Sequence, residues 1–161
     1  MNLSKNISLE IYEEHEEVTF YTFRFQDEEF TETDKFILNF IDKEEFEEDL
    51  GIITKMIEKI GKSGAEKRHF RNVGKMRDDV ASLPEYLYSS KLRLYVIHVS
   101  KNIVIIGNGG YKNTKTYNED PFLDECVSLL QTIDFKIKTN IKYNRLSIIN
   151  HKLVGNLSYN I

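Results

Sequence analysis

The chain begins with alternation. Ile7, Leu9 and Ile11 point one way, Ser8, Glu10 and Tyr12 the other, and Val18–Phe25 is a run of β-branched and aromatic residues. That pattern predicts two strands, and the charged stretch Glu13–Glu17 between them predicts the turn of a β-hairpin. The spacing then changes. Phe36, Ile37, Phe40 and Ile41 form a short helical face behind Thr31 or Thr33 as a cap. Phe46, Leu50, Ile53, Ile57 and Ile60 advance by alternating steps of four and three, which is one face of a longer helix. Asp42 with Glu45 fits a capping box, Gly61 fits the stop, and Lys59 and Lys62 suit the negative end of the helix dipole. Together these stretches predict a helical hairpin.

The middle of the chain returns to strands. Lys91–Val99 and Asn102–Gly107 flank a tight turn at Ser100–Lys101, and Ile103–Ile106 is apolar on both faces, as a central strand should be. A shorter strand is expected near His69–Val73. Helical spacing resumes in Asp124–Leu130 and continues to Ile133. Leu146–Ile149 and Leu153–Tyr159 read as a C-terminal hairpin turning at Asn150–His151. The order β-β-α-α-β-β-β-α-β-β predicts an α+β protein. Its N-terminal helical hairpin should pack on an antiparallel sheet, in a single domain over residues 1–161.

Composition narrows the class. With 161 residues, 40% hydrophobic and 12% aromatic, the chain can build a core without covalent staples. One cysteine, Cys126, allows neither a disulfide framework nor a cysteine zinc site and fits a cytoplasmic chain. The longest charge-free apolar stretch, Asn102–Tyr111, is half of a membrane span, so no membrane partner is expected. Met1–Asn6 lacks the apolar core of a signal peptide.

The net charge of −4 conceals an asymmetry: residues 1–50 hold 16 Asp and Glu against 4 Lys and Arg, and residues 51–161 hold 10 against 18. From Lys62 to Asn118 there are eleven bases against four acids, interleaved with Phe70, Tyr86, Tyr88, Tyr95, Tyr111 and Tyr117. Cations for phosphates and rings for stacking are what single-stranded RNA recognition requires. The plainer account is a lysine-rich surface with tyrosines capping a core.

Familiar catalytic patterns are missing. His15, His69, His98 and His151 include no pair at helical metal-ligand spacing, and there is no Gly-x-Ser-x-Gly. The glycines at 107, 109 and 110 lack the Lys-Ser/Thr of a phosphate loop and read as a strand exit. The acidic runs 10–17 and 42–49 read as solvated faces. No metal or cofactor is expected. Alternation in Leu92–Val99 puts Leu92, Leu94 and Val96 on the face that packs against helices. Arg93 and Tyr95 fall on the other face, expected to be open. His98 falls on the packed face and reads as structural.

Three stretches carry a resemblance: Lys91-Leu-Arg-Leu-Tyr95, Asn102-Ile-Val-Ile-Ile-Gly107, and Gly109-Gly-Tyr-Lys-Asn-Thr-Lys-Thr116. Over about residues 17–135 the chain resembles the RelE/HigB-like toxins of toxin–antitoxin pairs. In that family an Arg-hydrophobic-Tyr strand precedes an apolar central strand, a loop with paired lysines and a threonine, and a helix. Residues 136–161 would be an extension. The family's adjacent lysines are here Tyr111-Lys112 with Lys115 nearby, Tyr117 stands where a proline often follows, and the chain is acidic overall.

The resemblance implies a ribosome-dependent endoribonuclease that cleaves translated mRNA by attack of a ribose 2′-OH, without a metal. Its partners would be the ribosome, mRNA and a helix-turn-helix antitoxin. Arg93 would stabilise the phosphorane, and Lys112 and Lys115 would hold phosphate and assist proton transfer. Among the histidines, His69 is the acid–base candidate because its neighbours are basic. Arg68, Arg71, Lys75 and Arg77 would bind the RNA backbone, and Tyr95, Tyr111 and Tyr117 its bases. The alternative is the same fold kept as a non-catalytic module that binds protein or RNA.

Overall fold

The N-terminal alternation folds as a hairpin in the computed structural model, which describes residues 5–161 except residue 76. Residues 1–4, part of the stretch read for a leader, lie outside it. Strands β1 (Asn6–Glu14) and β2 (Thr19–Phe25) pair antiparallel, with a bulge between Ile11 and Glu13. The predicted helical hairpin follows. Helix α1 (Glu32–Phe40) starts at Thr31, whose hydroxyl accepts from the Asp34 amide at 3.0 Å. Helix α2 (Glu47–Ser63) differs from expectation at both ends. A 3-10 turn over Glu44–Phe46 leads into it, no side chain caps it, and it runs through Gly61 to stop at Gly64, whose φ of +101° suits glycine.

Beyond the helices lie β3 (Arg71–Asn72), β4 (Val80–Leu83), β5 (Leu92–Ser100) and β6 (Ile103–Tyr111). Helix α3 (Pro121–Lys142) follows, then β7 (Leu146–Ile149), β8 (Lys152–Gly155) and β9 (Ser158–Asn160). Strands β7 and β8 form a separate ribbon turning at Asn150 and His151, both with positive φ. The predicted strand 153–159 is broken. Its second half is β9, which leaves the ribbon and pairs with β1.

The main sheet has seven strands in the order β3-β4-β5-β6-β2-β1-β9. It is mixed: β2 lies parallel to β6, with Thr19 opposite Ile103 and Tyr21 opposite Ile105, while the other pairings are antiparallel. Apolar residues alternate into two cores. Phe20, Leu94, Val96, Val104 and Ile106 meet α1 and α2 through Phe36, Phe40, Ile53 and Ile60. Ile7, Phe23, Tyr95, Ile97, Ile103 and Ile105 meet α3 through Leu123, Val127, Leu130 and Ile133. Ile103–Ile106 is apolar throughout because helices cover both faces of β6. Thr33 of α1 fastens the first layer. Its buried hydroxyl lies 3.1 Å from the carbonyl oxygens of both Ile106 and Gly107.

The covering by α3 corrects one expectation: the face carrying Tyr95 is not open. Tyr95 is 0% exposed, and its hydroxyl has no partner among the described residues. Burying an unpaired hydroxyl costs about 1–3 kcal/mol. Tyr95→Phe is therefore expected to raise the urea midpoint at unchanged slope, which equilibrium unfolding followed by circular dichroism reads directly.

Candidate nucleic-acid interface

Strand register brings the cations together. Arg71 on β3 is opposite Ser82 on β4, and Ser82 is opposite Tyr95 on β5, so all three share the face that α3 covers. Arg93, two residues before Tyr95, lies on the same face opposite Gly110 of β6. Lys112, two residues past Gly110, continues that face beyond the end of β6. Helix α3 begins beside Gly110, where an added Cβ would lie 3.2 Å from Leu123 and 3.6 Å from Phe122. Asp120 caps the helix there, its carboxylate accepting from the amides of Phe122 at 2.9 Å and Leu123 at 3.2 Å. Further along, Gln131 donates to Asp78, and Lys138 bridges Asp134 and Asp79, tying the helix to the β3–β4 loop. The helix thus covers Tyr95, while Arg93 and Lys112 remain half-buried at its mouth.

The glycines at 107, 109 and 110 lie inside β6, not at a strand exit. A Cβ on Gly109 would sit 1.9 Å from the Arg93 carbonyl oxygen, so glycine is needed for the close approach of β5 and β6 at their irregular register.

Positive charge acts on positive charge here. Arg93 is pushed below the usual arginine range by burial and then by Arg71. Lys112 is lowered by burial, by Arg93 and by Arg71, with Glu119 opposing. The ammonium of Lys112 donates to the carbonyls of Thr114 and Lys115, both at 3.1 Å, which fixes its position. Arg71 braces the loop between β4 and β5: Nε donates to Pro84 at 2.7 Å, and Nη2 to Glu85 at 3.3 Å and Tyr88 at 2.7 Å. Arg93 grips the same loop through Nη1, donating to Ser90 at 2.7 Å and Leu92 at 2.9 Å. Its Nε and Nη2 have no partner among the described residues and remain able to meet an anion.

The remaining expected residues divide. Lys115 and Tyr111 are exposed beside Lys112, and the Tyr111 ring leans on Phe46 at 5.5 Å. Tyr117 is half-buried and packs edge-on against Tyr95 at 6.4 Å. Tyr95 itself offers no ring face to a base, a correction to its expected stacking role. Lys75 and Arg77 lie on the exposed loop before β4, at the other end of the sheet, where the His98 amide donates to Asp79. Five strand positions from Arg93 to His98 amount to roughly 17 Å, so this loop is apart from the cation cluster. Arg68 is exposed in the 3-10 turn Lys67–His69. His98 packs on the α2 side as expected, with its ring stacked on Phe70 at 4.7 Å and Nε2 2.7 Å from the Ala65 carbonyl.

His69 is corrected as an acid–base candidate because it is 1% exposed. Its Nδ1 accepts from the Glu66 amide at 3.1 Å and completes a reciprocal cap. Burial first, and the charge of Arg68 second, hold its pKa below the usual value of 6.5. The folded state thus favours the neutral ring. The associated stability is present above the unfolded pKa and is lost as pH falls through it towards the lower folded value. Unfolding measured in steps from pH 8 to pH 5 is expected to show this loss setting in below about pH 6.5. In His69→Asn, which keeps an acceptor for Glu66, the loss should shrink.

Sequence reasoning counted Tyr86 and Tyr88 among the interleaved rings but gave the loop Pro84–Ser90 no role in the site. Its signal was the cluster Tyr86-Leu87-Tyr88, three large side chains left in water on a short connection. No helix among the described residues is long and apolar enough to cross a membrane, and no group of three or more potential metal ligands occurs among them. Comparison with family models, curated proteins and solved structures finds no match.

Proposed function

We propose that the chain is a toxin of the RelE/HigB kind, acting in the cytoplasm with an antitoxin partner, and that it cleaves ribosome-bound mRNA without a metal. The observation that carries this reading is the strand register that gathers Arg71, Arg93 and Lys112 on one face at the mouth of α3, close enough for Arg71 to act on both of the others. The order of strand, helical hairpin, antiparallel strands and helix also supports it. In the reaction the ribose 2′-oxygen attacks the adjacent phosphorus, and the bond from phosphorus to the 5′-oxygen breaks. Products are a 2′,3′-cyclic phosphate and a free 5′-hydroxyl. Lys112, in its neutral form, takes the 2′-OH proton, and water returns one to the leaving oxygen. Arg93 faces the charge that builds on the phosphorane, and Arg71 and Lys115 hold the flanking phosphates.

Expression in bacteria is the test. Growth should stop, and primer extension on translated messages should show codon-phased cuts leaving 5′-hydroxyl ends. Continued growth with intact messages refutes the enzyme.

A second reading, a non-catalytic RNA-binding module, draws on the enclosure of His69, the acid–base group that cleavage was expected to use. It predicts that the chain retains RNA uncut, with binding that weakens steeply as salt rises.

A further inference from the structure

The loop between β4 and β5 is unusual for a connection of its length. Tyr86 is 67% exposed and Leu87 87% exposed, yet five hydrogen bonds from Arg71 and Arg93 hold the loop's backbone from Pro84 to Leu92. A pinned loop that presents an aromatic ring to water is built to meet something. The Arg71 guanidinium lies over the Tyr86 ring, 5.2 Å from its centroid. One face of the ring is therefore backed by a cation, and Arg71 acts electrostatically on both Arg93 and Lys112.

We infer that Tyr86 is the stacking platform for an unpaired RNA base, in the nucleotide whose phosphate Arg71 holds, beside the phosphate that Arg93 and Lys112 face. This rests on the RNA-binding part of the reading above and supplies the base contact that the burial of Tyr95 removes. The chemistry matches on both sides. A base has a flat π-face and carries its phosphate one sugar away. Tyr86 offers an open ring, and its backing cation belongs to the phosphate cluster. The bracing from Arg71 also fixes the loop in advance, so little freedom is lost when a base lands.

The test uses two short single-stranded oligonucleotides with 2′-O-methyl riboses, which cannot be cleaved: one of uridylates, the other the same backbone without bases. Binding to the full chain is measured at low salt by fluorescence anisotropy. The unaltered chain should prefer the base-bearing strand by about tenfold. Tyr86→Ala should abolish that preference while leaving affinity for the abasic strand unchanged, and Tyr86→Phe should retain it. Arg93→Ala should weaken binding of both strands. If the preference survives Tyr86→Ala while Arg93→Ala still weakens both, the platform is overturned and the cation reading stands. If Arg93→Ala changes neither, or the unaltered chain binds neither strand, the cation reading falls and the platform with it.

Discussion

Lys112→Met is expected to lower mRNA cleavage by about a thousandfold, the usual scale for loss of a positioned proton-transfer group. Methionine keeps the unbranched stem of the side chain, one atom shorter, and removes the titrating amine. Burial and two neighbouring guanidiniums lower the Lys112 pKa, which raises the neutral fraction available near pH 7. Cleavage by the unaltered chain should therefore accelerate with pH up to that lowered value and then level off. The rise should disappear in Lys112→Met. Lys112→Arg separates the two roles of this side chain. A guanidinium keeps the charge but holds its proton far too tightly to exchange it, so RNA binding should persist while cleavage is lost. Equal cleavage by the unaltered chain and Lys112→Met in a purified translation system would remove Lys112 from the mechanism.

Phe40→Ala is expected to cost about 3–5 kcal/mol, enough to unfold a large share of a marginally stable domain. Phe40 is the middle of an aromatic file. It lies 5.3 Å from Phe36 and 5.0 Å from Phe46, and Phe46 in turn lies 5.5 Å from Tyr111. The file ties α1 and the turn before α2 to the end of β6, one residue short of Lys112. Removing its centre leaves a cavity that α1 cannot close, because Thr33 anchors the helix to Ile106 and Gly107. Urea unfolding should show a much lower midpoint at the same slope. A milder Phe40→Leu variant should remain folded and reveal whether the position of Tyr111 affects cleavage.

Most local structure was legible because each element carries its own period. The four-three spacing of Phe46–Ile60 is a helix, and Ile103–Ile106 is a strand buried on both faces. The Asn150–His151 turn is legible too, since asparagine tolerates the positive φ found there. Four features were not legible, each for a physical reason. Val80–Leu83 is only four residues long and buried throughout, so it lacks alternation. The fate of Ser158–Asn160 depends on the free edge of β1, which no local pattern announces. Alternation in β5 separated Arg93 and Tyr95 from Leu92 and Leu94, but it could not say that α3 would cover Tyr95. The meeting of Arg71, Arg93 and Lys112 depends on register across three strand pairings. Residue types pointed to phosphate, and only the assembled sheet shows which cations meet.

The parallel seam between β2 and β6 has a kinetic consequence. The N-terminal hairpin and the β5–β6 hairpin can each close over a short loop, whereas Thr19 must find Ile103 across about half of the chain. Two preformed ribbons should therefore zip together late, and the rate of that search, more than the strength of any single element, should set the pace of folding.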